Sequence, residues 1–178
     1  KKLDLKIKGG TDVLWSPSFD YTQHVLREAF SRMGIEFSLE LCKRGYYPRG
    51  GGEIDLHVKP SKIKSILLTK RKTKTVKIIC TFSKLLKEDI ENEIKEIKEK
   101  LVERNFIVNT QIKNQDAINS GASLLIFSID ENSINGIDGL YDKKMKSFSV
   151  DLNKFYKNSL GVDENLVDML VPVASLGP

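Results

Sequence analysis

The sequence predicts an α+β fold with a separate small α+β module at residues 68–161, flanked by residues 1–67 and 162–178. Three observations predict it. Apolar residues alternate at period two in several short stretches, the pattern of strands with one covered face. Two other stretches shift to a 3.6-residue stripe, the pattern of amphipathic helices. Between them, glycines, prolines and a lysine run punctuate the chain, and these belong to turns and connections rather than to cores.

Leu3, Leu5 and Ile7 alternate with Asp4, Lys6 and Lys8, so residues 3–8 read as a half-buried strand ended by Gly9-Gly10. Tyr21, Val25, Leu26, Ala29, Phe30 and Met33 then predict a helix over residues 19–33, with Ser18 as its N-cap and Gly34 just past its end. Alternation returns at Ile35, Phe37, Leu39 and Leu41, and again at Ile54, Leu56 and Val58, before Pro60 closes the segment. Residues 75–82 form a buried-type strand. Ser83 is expected to cap a helix running to about residue 104, with Leu86, Ile90, Ile94, Ile97 and Leu101 on its stripe. Phe106, Val108, Thr110 and Ile112 mark the next strand, and residues 122–129 another, reached through the polar link 113–121. A strand around residues 134–141 contains Asn135-Gly136, a dipeptide that reads equally as a turn. A short helix over 150–160 precedes Gly161, and residues 162–176 resemble a last helix with Leu166, Leu170 and Val173 on one side.

A chain of 178 residues accommodates one domain or two small ones, and 40% hydrophobic with 30% charged residues is ordinary for a globular protein. No apolar run approaches the roughly 20 residues of a membrane span. The opening carries no signal peptide and reads as a strand in mid-domain. Two distant cysteines, Cys42 and Cys80, with only two histidines, argue against a zinc site or disulfide framework, so a reducing cytoplasm is the expected setting. His24, a lone histidine on the predicted helix, and His57, on the polar side of its strand, read as surface residues. The net charge is +5 and the pI about 9.1. Lys62, Lys64, Lys70, Arg71, Lys72, Lys74 and Lys77 form a run with no acidic residue. Such a run is either a solvated connection or a patch that holds an RNA backbone without base specificity and weakens with salt.

The densest chemistry lies in Arg44-Gly45-Tyr46-Tyr47-Pro48-Arg49-Gly50-Gly51-Gly52-Glu53. Adjacent glycines admit positive φ and close backbone approach, Pro48 fixes φ, and two arginines offer planar forks suited to phosphate. Two readings stay open: a glycine-rich hairpin with a basic rim, or a turn built beside an anion. No Lys-Ser or Lys-Thr follows the glycines, which excludes a nucleotide P-loop.

This decapeptide resembles the signature of the RNA 3′-terminal phosphate cyclase family. Upstream, Gly9-Gly10-Thr11-Asp12 with Pro17 and Asp20-Tyr21 resembles that family's glycine-glycine-threonine-aspartate stretch. Downstream, residues 163–170 resemble its nucleotide-binding segment. The resemblance implies a larger domain of repeated strand/helix-pair units interrupted by the small inserted domain. It implies ATP and a divalent metal, Mg or Mn, as cofactors and RNA 3′ ends as partners. It places Pro17 and Tyr21 against adenine, and Asn165, Leu166, Val167, Asp168 and Met169 along the ATP. Asn165 stands where the family has an aromatic or histidine, and Met169 where it has glutamine, two departures that weaken or alter nucleotide binding. Arg44 and Arg49 are the expected anion contacts, with Gly50, Gly51 and Gly52 forming the positioning turn. The implied mechanism adenylylates a histidine that matches neither His24 nor His57, so no catalytic nucleophile is expected among these residues. The alternative is a non-catalytic relative serving as a binding scaffold in ribosome assembly.

Overall fold

The structure is a computed structural model describing residues 1–177, and it contains two sheets. The smaller is antiparallel, in the order β1-β3-β2, from β1 (Leu3–Gly9), β2 (Phe37–Lys43) and β3 (Gly52–Val58). Its register pairs Leu5 with Leu56 and Leu56 with Leu39, so the alternating residues share one side as the pattern predicts. The strand read as half-buried is nonetheless exposed throughout: Leu3, Leu5 and Ile7 retain 48%, 42% and 45% of their surface. Period-two alternation says which residues share a side; it does not say that anything covers it. The opposite side carries the cross-strand pairs Lys6–Asp55 at 3.6 Å and Lys8–Glu53 at 3.7 Å.

Between β1 and β2 runs one helical rod built from α1 (Phe19–Tyr21), a wider π-helical turn over Thr22–Leu26, and α2 (Arg27–Arg32). The expected caps are present. Ser18 Oγ accepts the Tyr21 N–H at 3.2 Å, and Gly34 takes φ +78°, a left-handed conformation that only glycine adopts without strain.

The larger sheet has the order β5-β4-β6-β7-β8, with β4 (Thr75–Ser83), β5 (Ile107–Asn114), β6 (Gly121–Asp130), β7 (Ser133–Asp142) and β8 (Ser147–Phe148). β4 and β5 are parallel and joined by α3 (Lys87–Glu103); the other pairs are antiparallel. α4 (Leu152–Lys157) is shorter than the predicted helix over 150–160, and α5 (Glu164–Ala174) ends the described fold. Asn135-Gly136 lies inside β7, opposite Ser128 and Phe127, so it is strand and not turn. Ser83 ends β4 instead of capping α3, and its Oγ accepts the Ala117 N–H at 3.0 Å; the cap position falls to Leu86, which offers no side-chain bond.

Why the larger sheet sits where it does follows from its central strands, which are apolar on both faces. Ile78, Cys80, Leu124 and Ile126 face one core with Ile90, Ile94, Ile97 and Leu101 of α3, all at most 2% exposed. Burying each such side chain contributes about 1.5–3 kcal/mol. Ile79, Leu125 and Phe127 face the other way, against Tyr21, Val25 and Ala29 of the helical rod and Leu166 of α5. Residues 68–161 therefore have a core of their own. Their second face is covered by the flanking segments on both sides.

Candidate nucleotide and phosphate site

The glycine run folds as its composition requires. Gly50 and Gly51 adopt φ +62° and +67°, and a Cβ on Gly51 would stand 2.2 Å from Ile118 Cδ1. A Cβ on Gly45 would lie 2.4 Å from the Gly52 nitrogen, so the two ends of the turn touch backbone to backbone. Thr11 and Asp12 lock it from the side. Their N–H groups donate to the Gly45 carbonyl at 2.9 and 3.2 Å, and the Gly45 N–H donates to Thr11 Oγ1 at 3.0 Å.

Arg44 lies at the centre of this arrangement, 2% exposed. Its Nη1 donates to both oxygens of Asp12 at 2.9 Å, its Nη2 to Asp20 Oδ2 at 3.0 Å, and its Nε to Gln115 Oε1 at 2.9 Å. Burial pushes the guanidinium pKa down, but the two carboxylates more than offset this and leave it raised. Burial likewise raises the Asp12 carboxyl, against the opposing pull of Arg44. Arg44 was expected to touch an anion; the structure corrects this, because every face of its fork is engaged inside the protein. It fastens the turn to the larger sheet. Tyr46 does the same from the next position but one, buried, donating from its hydroxyl to the Thr81 carbonyl at 3.0 Å. Arg49 is different: exposed, it carries no ion pair to any described residue, and only its backbone is held, by Asn119 Oδ1 at 3.2 Å.

The loop that locks the turn continues directly into a cavity. After Asp12 the chain passes through Trp15, wholly exposed and at φ +67°, an uncommon conformation for a bulky residue and one that clusters at functional sites. Trp15, Ser16 and Ser18 form one wall of a cavity of about 320 Å³, whose other walls include Asp138, Ser149 and Asn165. Those last three also line an adjoining cavity of about 580 Å³ between β7, α4 and the start of α5. Asp138 Oδ2 accepts the Ser18 N–H at 2.6 Å. Burial raises its carboxyl pKa, a shift to which nearby Asp163 adds. Asp163 caps α5 by accepting the Leu166 N–H at 2.9 Å and also takes the Gly136 N–H at 2.8 Å and the Tyr21 hydroxyl at 2.7 Å.

Of the residues expected on the nucleotide side, Asn165 reaches both cavities and Val167 lines the larger. Pro17 sits half-buried within the cavity-forming loop. Tyr21 and Leu166 are corrected: both are 0% exposed in the core beneath the larger sheet, so neither offers a face to a base. Met169 packs against the same cluster, and Asp168 is exposed but outside both cavities. Trp15, Asp138 and Ser149 were not anticipated. An isolated tryptophan two residues before Pro17 was the one available signal; Asp138 carries none, since strand periodicity does not mark which polar residue meets a distant loop. His24 stacks on Phe127 at 5.4 Å, with burial pushing its pKa down, and His57 pairs with Asp4 at 2.7 Å. Neither lines these cavities.

The implied divalent metal does not find its ligands here. Among the described residues no group of three or more His, Cys, Asp or Glu side chains could hold a metal ion. Asp12, Asp20 and Asp163 are already taken by Arg44, Tyr21 and backbone N–H groups. Among the described residues no helix is long and apolar enough to cross a membrane.

The chain is 32% identical over 179 residues to an RNA 3′-terminal phosphate cyclase of Methanosarcina barkeri, covering 99% of this chain and 54% of that protein. It is 32% identical over 186 residues to one of Saccharolobus islandicus, covering 99% and 55%. A third, from Methanosarcina acetivorans, is 52% identical over 65 residues, 36% of this chain and 18% of that protein. The chain thus spans about half the length of the curated relatives it matches end to end. The family described as RNA 3′-terminal phosphate cyclase matches residues 1–178, and the chain belongs to it.

Proposed function

We propose that this chain supplies the nucleobase wall and the phosphate-side turn of an ATP-dependent RNA 3′-phosphate cyclase. The observation that carries the reading is continuity: one loop, residues 11–18, both clamps the glycine turn bearing Arg49 and walls the cavity shared with Asn165 and Asp138. An exposed indole beside a polar floor suits a nucleobase, whose flat face stacks and whose edge needs hydrogen-bond partners.

The chemistry of this class divides one hard displacement into three. A histidine nitrogen attacks the α-phosphorus of ATP and pyrophosphate leaves. The adenylyl group then passes to an oxygen of the RNA 3′-phosphate, freeing the histidine. Finally the neighbouring 2′-oxygen attacks that phosphorus, losing its proton, and AMP leaves with its bond electrons, closing the 2′,3′-cyclic phosphate. The nucleophile is not one of the residues of the site described here. This chain's part is positional. The cavity seats the base, Gly50–Gly52 form the tight turn that presents Arg49, and Arg49 faces the transferring or terminal phosphate. The exposed lysines of the 62–77 run extend a positive surface along which an RNA strand tracks.

The test is direct. Incubated with ATP labelled at the α-phosphate, the protein in a form that includes the histidine nucleophile is expected to give an acid-labile AMP adduct, and a 3′-phosphorylated oligonucleotide is expected to emerge with a cyclic end. Absence of both, with any divalent cation supplied, would leave the second reading, a non-catalytic relative that binds RNA as a scaffold. Asn165 and Met169 favour that reading, since one removes a ring from the cavity mouth and the other sends its side chain into the core.

A further inference from the structure

We infer that Asp138 determines nucleotide specificity, reading the edge of the base by accepting a hydrogen bond from an exocyclic amine such as that of adenine. This rests on the nucleobase cavity proposed above and goes further, by naming the base-reading atom and the segment that provides it. Asp138 belongs to β7, in the segment between the two nucleotide-side stretches, and it lines both adjoining cavities where they meet Asn165.

Its geometry is that of a held reader. One carboxylate oxygen, Oδ2, is fixed by the Ser18 N–H at 2.6 Å. That bond needs a residue other than proline at position 18, because proline has no N–H to give. Asp138 is half-buried and lines both cavities, so a ligand seated there meets its carboxylate. A carboxylate at a cavity wall, when ionised, only accepts hydrogen bonds, so it takes a donor from the ligand. Trp15 stands free on the loop that Ser18 closes, so a base stacked there turns its edge toward the cavity floor. A 6-amino purine presents a donor to that floor. A 6-oxo purine presents an acceptor, which an ionised carboxylate repels.

The experiment compares ATP with ITP, which differ at position 6 and its neighbouring ring nitrogen, by equilibrium binding to the wild-type protein and to Asp138→Asn. The asparagine keeps an oxygen for the Ser18 N–H and offers an amide N–H to the base. Wild type is expected to prefer ATP by about tenfold or more, and Asp138→Asn to lose or invert that preference at unchanged melting temperature. Asp138→Ala is expected to flatten it. Wild type binding both equally, or Asp138→Asn keeping the wild-type ratio, overturns the inference while leaving the cavity a nucleotide site. Equal loss of both nucleotides in the variant makes Asp138 a scaffold residue and also overturns it. Wild type binding neither nucleotide is a separate result, the failure of the cavity reading itself.

Discussion

Replacing Arg44 by alanine separates its structural role from the anion contact that its motif suggested. The variant removes a guanidinium that contacts Asp12 and Asp20 at 2.9 and 3.0 Å, leaving those carboxylates 0% and 4% exposed without their cation. Losing one partner of a buried ion pair costs about 3–5 kcal/mol. Part of that loss is recoverable at low pH, because burial already holds the Asp12 carboxyl above the ordinary range and the orphaned group takes up a proton more readily. Urea unfolding followed by circular dichroism should show the full loss at pH 7, a smaller one at pH 5, and an unchanged slope against denaturant. The triple variant Asp12→Asn, Asp20→Asn, Arg44→Met removes all three charges together and should recover most of the stability. A cost below about 1 kcal/mol for Arg44→Ala, coupled with weakened binding of 3′-phosphorylated RNA, would sink the structural role and return this residue to the phosphate.

Four further outcomes are expected. Gly51→Ala meets both a left-handed backbone and Ile118 Cδ1 at 2.2 Å, so it should cost about 1–3 kcal/mol by the same unfolding measurement. Trp15→Ala should leave stability within about 0.5 kcal/mol, since the ring is fully exposed. Base stacking contributes about 1–3 kcal/mol, so the same change should weaken ATP at least several-fold by calorimetry; unchanged affinity would remove the indole from the site. Tyr21→Phe deletes the 2.7 Å bond to Asp163 and should lower stability by about 1–2 kcal/mol, with nucleotide affinity falling only as far as Asp163 shifts. Asp130 supplies the pH dependence. Burial raises its carboxyl, but the N–H groups of Thr73, Lys72 and Asn132 more than offset this and hold it at about 2. A carboxyl depressed in the folded state stabilises fully above its unfolded value of 3.8 and loses that contribution as pH falls toward 2. Discounted for solvent screening, the loss is about 1 kcal/mol, and Asp130→Asn should flatten that acid limb of the stability curve.

The architecture was legible where local rules decide it. Ser18 and Gly34 bracket the first helical rod as capping chemistry demands, and the glycine run turns through positive φ at Gly50 and Gly51. What escaped depends on distant partners. β8 pairs only two residues with β7, too few to carry a period. Ser83 has the chemistry of a cap but meets Ala117, a partner 34 positions away. The site divides the same way. Arg49 and Asn165 lie on accessible surfaces, and Asn165 lines a cavity. Tyr21 and Arg44 carry suitable chemistry and are sealed, because burial is a property of the packed sheet and not of the residue type. Asp138 became visible only when β7 and the loop ending at Ser18 were seen 2.6 Å apart.

The two-sided apolar character of β4 and β6 bears on how this protein can be cut and recombined. A deletion of residues 68–161 would not lift out a cassette and leave its host intact. It would strip the floor from beneath Tyr21, Val25 and Ala29, and sever the fastening of Arg44 to Gln115 and Ser123. Chimeras between relatives should therefore exchange the helical rod together with the sheet it rests on, because the seam between donor and recipient runs through shared side chains and not through a hinge.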